Sequence, residues 1–266
     1  MMDAVSRGPL LDAWARGPER YLPMYPDGLF ALIRRELRLP ARPAVVDLGA
    51  GTGRASLAMA ALGWVVTALE PDRPSLDVLQ ARATEAGLLV ATVQATAEAT
   101  GLDPASVDLV TAAQSFHWFD QPAALAEMAR VVRPGGGIAL FWNVRDREGS
   151  PFIAGYYRLL ARYGMPKRLY LEGERASGRV TQEALAGADG YGPPRMHQLQ
   201  HGLAMRPDDF VGSVSTNPYV RALEPEAQEQ FRGDVLALLA EHHFDGDTPF
   251  QLPWLTNCWL ARRSER

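Results

Sequence analysis

Apolar positions in this chain follow two periods, and the switch between them recurs. Short apolar runs of strand length cover Ala44–Leu48, Trp64–Leu69, Leu88–Val93, Val107–Ala112 and Ile138–Asn143, and segments of helical period lie between them. A first helix is predicted from Asp27 to about Leu39, with Leu29, Phe30, Ile33 and Leu37 on its apolar face and Pro40 behind it. A second helix ends at Leu62 before Gly63. A third starts on the cap Asp72 with Pro74 in its first turn and stops at Gly87. This β-α-β-α-β order predicts parallel strands joined by right-handed crossovers. Asp120 caps the next helix, which runs to Val132. Arg133–Gly137 is expected as a tight turn before the fifth strand. The alternation then breaks. Ser150 to about Ala188 reads as helical, aromatic and basic, with Phe152, Tyr156, Tyr157, Tyr163, Lys167, Arg168 and Tyr170. Met196–Ala204 is expected as a sixth strand, Pro207–Val214 and Glu224–Glu241 as helices, and Leu255–Ala261 as the last strand.

The 266 residues suit one large domain with an insertion, here residues 1–149 and 190–266 interrupted by a helical cap over 150–189. Cys258, the single cysteine, lies in an apolar run and is expected in the core, so no internal disulfide forms and a cytoplasmic location fits. A net charge of -4 gives no general attraction to nucleic acid. No apolar run is long enough to span a bilayer, and the first residues lack the apolar core of a signal peptide. His242 and His243 are adjacent, so on a helix they point in different directions, and no metal is assigned to them.

The chemistry concentrates at Val45–Arg54, V-V-D-L-G-A-G-T-G-R. Gly49, Gly51 and Gly53 provide a tight strand-to-helix turn with no side chains between backbone and ligand. Glu70 ends the next strand, where a carboxylate accepts from the two hydroxyls of a ribose. A dinucleotide site requires a third glycine in the frame G-x-G-x-x-G, but Arg54 or Ser56 occupies that position. Asp47 just before the turn disfavours a pyrophosphate and favours a cationic group, directly or through water. S-adenosylmethionine, with an ammonium, a sulfonium and no phosphate, meets those terms.

Asp47–Gly53 also resembles the first motif of the class I methyltransferases, D/E-x-G-x-G-x-G, and matches it in full. Gln94–Glu98, Q-A-T-A-E, is similar to the loop that borders the adenine in that family. The hydroxyl of Thr96 replaces the usual carboxylate there. Ala113–Asp120, A-Q-S-F-H-W-F-D, resembles the signature of the methyltransferase type 11 group, which includes trans-aconitate methyltransferase-like proteins. Pro18–Pro26 resembles the arm that folds over the cofactor in many small-molecule members, with Leu22 in place of the usual arginine. The resemblance implies a Rossmann-like, doubly wound seven-stranded α/β sheet of order 3-2-1-4-5-7-6 with the last strand antiparallel. It also implies Tyr21 near the cofactor and Tyr25 near the acceptor.

The expected cofactor set is therefore Tyr21, Asp47, Gly49, Gly51, Gly53, Glu70, Pro71, Thr96, Ala97, Glu98 and Gln114. His117 is the candidate base or hydrogen-bonding group, since it titrates near neutrality and stands at the carboxyl edge of the sheet. Trp118 offers an aromatic wall, and Tyr25, Tyr156 and Tyr157 join it as expected acceptor contacts. The expected activity is S-adenosylmethionine-dependent methylation of a small molecule by a monomer or homodimer, on oxygen first, with carbon and nitrogen open. A dinucleotide-dependent oxidoreductase and a non-catalytic cofactor-binding module remain as alternatives.

Overall fold

A computed structural model describes residues 18–166, 177–244 and 246–264. Seven strands form one sheet: β1 (Ala44–Leu48), β2 (Val65–Leu69), β3 (Val90–Val93), β4 (Val107–Ala113), β5 (Val132–Arg145), β6 (Arg195–Met205) and β7 (Phe250–Arg262). Their order is β3-β2-β1-β4-β5-β7-β6, as expected. The first five strands run parallel, and β7 is antiparallel to both β5 and β6.

Among the described residues the helices are α1 (Gly28–Glu36), α2 (Arg54–Ala61), α3 (Arg73–Glu85), α4 (Gln121–Val131), α5 (Pro151–Arg162), α6 (Arg179–Ala186), α7 (Pro207–Ser215), α8 (Pro218–Arg221) and α9 (Pro225–Glu241). Asp72 and Asp120 cap α3 and α4 by accepting from the Ser75 and Ala123 backbone N–H groups. None of the helices among the described residues is long and apolar enough to cross a membrane.

Parallel strands buried on both faces read as continuous apolar runs, and β1 and β4 do so because helices cover the sheet on each side. One face packs Val46, Leu48, Val110, Leu140 and Trp142 against α4 and α6. The other packs Val45, Leu109, Phe141 and Cys258 against α1, α2 and Tyr25. A further cluster of Phe152, Tyr156, Phe210, Phe231 and Trp254 joins α5, α7 and α9 to the far end of β7.

Two expectations change here. Arg133–Gly137 is not a turn preceding β5 but lies within it. The register to β4 slips between Val107–Val132 and Leu109–Gly137, and an added Cβ on Gly136 would stand 2.5 Å from the Asp108 carbonyl oxygen. The predicted cap also divides in its packing. α5 belongs to the cluster with α7 and α9, whereas Leu185 of α6 is part of the sheet core. Lys167, Arg168 and Tyr170 lie outside the described residues.

Candidate active site

The three glycines meet three different demands. All have positive φ, +62°, +54° and +95° at Gly49, Gly51 and Gly53. A Cβ on Gly49 would come within 2.7 Å of Ser115 Cβ, so this glycine lets the loop abut the end of β4. A Cβ on Gly53 would meet Leu79 at 2.5 Å, so this glycine seats α2 against α3. Gly51 faces open space, as a backbone approached by a ligand should. Glu70 is oriented by the loop itself. Its Oε2 accepts from the Gly51 N–H at 2.9 Å and its Oε1 from the Asp72 N–H at 3.1 Å. Each carboxylate oxygen keeps acceptor capacity for a hydroxyl.

Asp47 departs from expectation. It is fully buried, and its oxygens accept from Ser56 Oγ at 2.5 Å and Thr111 Oγ1 at 2.7 Å. Burial pushes its carboxyl up to about 6, against the lowering by those two hydroxyls. Those two bonds tie β1 to α2 and β4.

At the end of β4, Gln114 has φ +62°, unusual outside glycine, and its N–H donates to the Phe141 carbonyl at 2.9 Å. Ser115 Oγ donates to the Leu48 carbonyl at 2.8 Å and ties this edge to the glycine loop. In the following 3-10 turn, Phe116–Trp118, Phe116 is core while Trp118 is 73% exposed, its ring 4.8 Å from that of His117. The buried indole N–H of Trp142 on β5 donates to His117 Nδ1 at 3.3 Å. Gln94 Nε2 donates to the Pro71 carbonyl at 3.0 Å and joins the loops after β2 and β3, leaving Pro71 and Thr96 exposed. Two neighbours have structural contacts instead. Ala97 is in the sheet core, and Glu98 Oε1 accepts from the Asp120 N–H at the start of α4.

The arm crosses the loop under a set of holds that motif reading missed. Arg54 Nη1 donates to the carbonyls of Leu22 and Pro23, and its Nη2 to that of Glu19. Glu19 accepts from Thr52 Oγ1 at 2.6 Å and pairs with Arg82 at 2.5 Å. Asn143 Nδ2 donates to the Pro23 carbonyl at 3.3 Å. One signal was available: a cation opening a helix opposes the helix dipole, so Arg54 at the first position of α2 calls for a compensating partner. Tyr25, expected near the acceptor, packs into the core face of the sheet. It is buried edge-on against Phe141 at 4.8 Å, and that burial raises its phenol. Tyr21 packs with the helical cluster, its hydroxyl 3.2 Å from where a Cβ on Gly212 of α7 would stand.

Tyr156 and Tyr157 are buried on α5, and each faces an arginine. The Arg145 guanidinium carbon lies 5.0 Å from the Tyr156 ring centre and 5.6 Å from those of Phe210 and Trp254. Arg147 lies 6.0 Å from that of Tyr157. Arg145 was not foreseen, because a charge closing an apolar strand carries no motif.

A seven-stranded sheet ending β7-β6, with a glycine loop after β1 and an acid after β2, defines the class I S-adenosylmethionine-dependent methyltransferases. The open Gly51 and the oriented Glu70 fit an adenosyl ligand without phosphate. A methyltransferase-domain family profile matches residues 46–140. An uncharacterized methyltransferase of Mycobacterium tuberculosis is 30% identical over 259 residues, 97% of this chain and 96% of that one. The ubiquinone biosynthesis O-methyltransferase of Paraburkholderia phytofirmans is 34% identical over 115 residues, 42% of this chain and 49% of that one. A solved structure from Anaeromyxobacter dehalogenans, described as a type II methyltransferase, superposes with TM-score 0.66 at 27% identity, covering 92% of this chain and all of that one (100%). The chain belongs to this methyltransferase family and is an S-adenosylmethionine-dependent methyltransferase.

Proposed function

We propose that this enzyme methylates an oxygen of a small-molecule acid, the acceptor arriving as a carboxylate. The observation that carries the proposal is the Trp142–His117 hydrogen bond. An indole N–H can only donate, so His117 Nδ1 must be unprotonated to receive it. The proton of the neutral ring then sits on Nε2. To act as a base through Nε2, the ring would have to place a proton on Nδ1 against the Trp142 N–H. In this reading His117 serves as a hydrogen-bond donor through Nε2–H and not as the base. With His117 donating in this way, a hydroxyl acceptor would go without it as a base, whereas a carboxylate arrives already ionised.

In this reading the Gly49–Gly53 loop and Gln114 hold the methionyl end of the cofactor, Glu70 the ribose, and Pro71 and Thr96 the adenine edge. When bound, S-adenosylmethionine supplies an electrophilic methyl group on a sulfonium. The chain itself contributes alignment and exclusion of water. His117 Nε2–H orients an acceptor oxygen, Trp118 and Tyr156 wall the acceptor, and α5 with α7 and α9 covers it. The O-methyltransferase among the relatives supports oxygen as the acceptor atom.

The test is S-adenosylhomocysteine release from a panel of carboxylic acids, phenols, amines and activated carbons. Acids should turn over with kcat/KM level from about pH 7 to 9, since carboxylates are ionised throughout that range. His117→Ala should lower kcat/KM about 10- to 100-fold, the worth of one hydrogen bond to a charged group, and His117→Gln should recover part of it. Turnover of phenols or amines alone, with a rate that rises with pH, would overturn the proposal.

A further inference from the structure

We propose that Arg145 and Trp254 form the acceptor's anion-binding site, a donor-only cage that takes a carboxylate of the substrate. This rests on the acid-methylating reading above. The two residues are register partners on β5 and β7, so their side chains rise from the same face of the sheet. Asn143, two residues earlier on β5, shares that face and holds the arm at Pro23. Arg145 thus stands one step further along the same strand, toward the carboxyl edge where open α/β sheets bind ligands.

The chemistry of the cage is one-sided. Arg145 Nη1 and Trp254 Nε1 are both buried, and neither has a hydrogen-bond partner. Both groups donate and neither accepts. They lie together, with the guanidinium carbon 5.6 Å from the Trp254 ring centre. Among the described residues no carboxylate pairs with Arg145. Asp146, its neighbour in the chain, accepts instead from the Gly149 N–H at 2.8 Å. Other arginines near the site are matched. Arg54 holds three carbonyls, and Arg82 pairs with Glu19.

Arg145 also bonds the Tyr156 hydroxyl, but its Nη1 and Trp254 Nε1 are left over as two buried donors that call for a group that accepts. A carboxylate has that character, and its two oxygens suit the guanidinium fork. Tyr156 and Phe210 wall the cage with ring faces, so a bound anion would sit in a low-dielectric setting that strengthens its pairing with Arg145.

The experiment pairs steady-state kinetics on the best acid of the panel with calorimetric titration of succinate and benzoate into the enzyme–S-adenosylhomocysteine complex. Arg145→Met should raise the acid's KM about 30-fold or more, with the effect on KM rather than kcat, and should abolish succinate and benzoate binding. Affinity for S-adenosylhomocysteine should stay at the wild-type value. Trp254→Phe keeps the ring and removes one donor, so its KM should rise by about three- to tenfold. An Arg145→Met enzyme with unchanged KM and unchanged succinate and benzoate affinity overturns the proposal. If Arg145→Met does not fold, Trp254→Phe and Arg145→Lys decide, and wild-type KM in both overturns it. Acids converted without dependence on Arg145 would leave the acid-methylating reading standing and remove this site. Arg145-dependent binding of succinate or benzoate without conversion of any acid would do the reverse. No binding of either anion by the wild type, with no acid converted, would remove both.

Discussion

Asp47 is a charge that the fold carries at a cost. Its carboxyl, pushed up to about 6 by burial, binds a proton more tightly in the native protein than in the unfolded chain. Stability from this residue is therefore greatest at low pH. It declines as pH rises from about 4 to 6 and stays reduced above that, by about 3 kcal/mol for two units of displacement. Asp47→Asn should be more stable than wild type by about 2–3 kcal/mol at pH 8, the difference vanishing near pH 4, as read from urea unfolding at each pH. A variant less stable than wild type at pH 8 would show that the Ser56 and Thr111 bonds outweigh the desolvation. The residues legible in the sequence were those whose role is fixed by main-chain geometry. Gly49, Gly51 and Gly53 have the positive φ that their spacing demanded, and Glu70 follows from strand length. Asp47, Ala97, Glu98 and Tyr25 could not be placed that way. Whether a side chain turns into the core or the cleft depends on neighbours distant in sequence, such as Thr111 for Asp47 and Phe141 for Tyr25.

At the scale of elements, the arm and α2 act together. Arg54 gathers three arm carbonyls while Glu19 grips Thr52 and Arg82. Arg54→Met leaves those carbonyls without their charged donor, each such bond being worth about 1.5–3 kcal/mol in a buried setting and less where water reaches it. The expected result is an arm cut faster by limited proteolysis and a cofactor affinity weaker by about tenfold or more in calorimetry. Unchanged affinity together with faster cutting would show that the arm does not cover the cofactor. The strand order was legible because alternating strands and helices admit few topologies. The packing of 150–189 was not. Periodicity shows that α5 and α6 each have an apolar face, but not that α5 turns to α7 and α9 while α6 turns to the sheet. Arg133–Gly137 misled for a related reason: consecutive glycines suit a turn and a bulged strand equally well.

Taken whole, the molecule has a sheet core that builds the glycine loop and a helical cluster that, in the proposed function, covers the acceptor. The two meet at Arg145, Trp254 and Tyr21. Phe231 lies fully buried in the helical cluster, far from the loop in sequence. Phe231→Ala should cost about 3–5 kcal/mol of stability, through the lost contacts and the cavity left behind. If the two parts divide the work as proposed, this variant keeps S-adenosylhomocysteine affinity within about threefold while its turnover of the acid acceptor falls about tenfold or more. Equal losses in both measurements would mean that the helical cluster also shapes the cofactor site. The strap itself has a consequence for how the protein can change. Arg54 and Asn143 hold the arm by carbonyl oxygens, which every amino acid carries, so these holds respond to the path of the chain and not to its spelling. Leu22, half exposed and held here through its carbonyl, can then be exchanged without loosening the arm, whereas Glu19 and Tyr25 also hold it through their side chains.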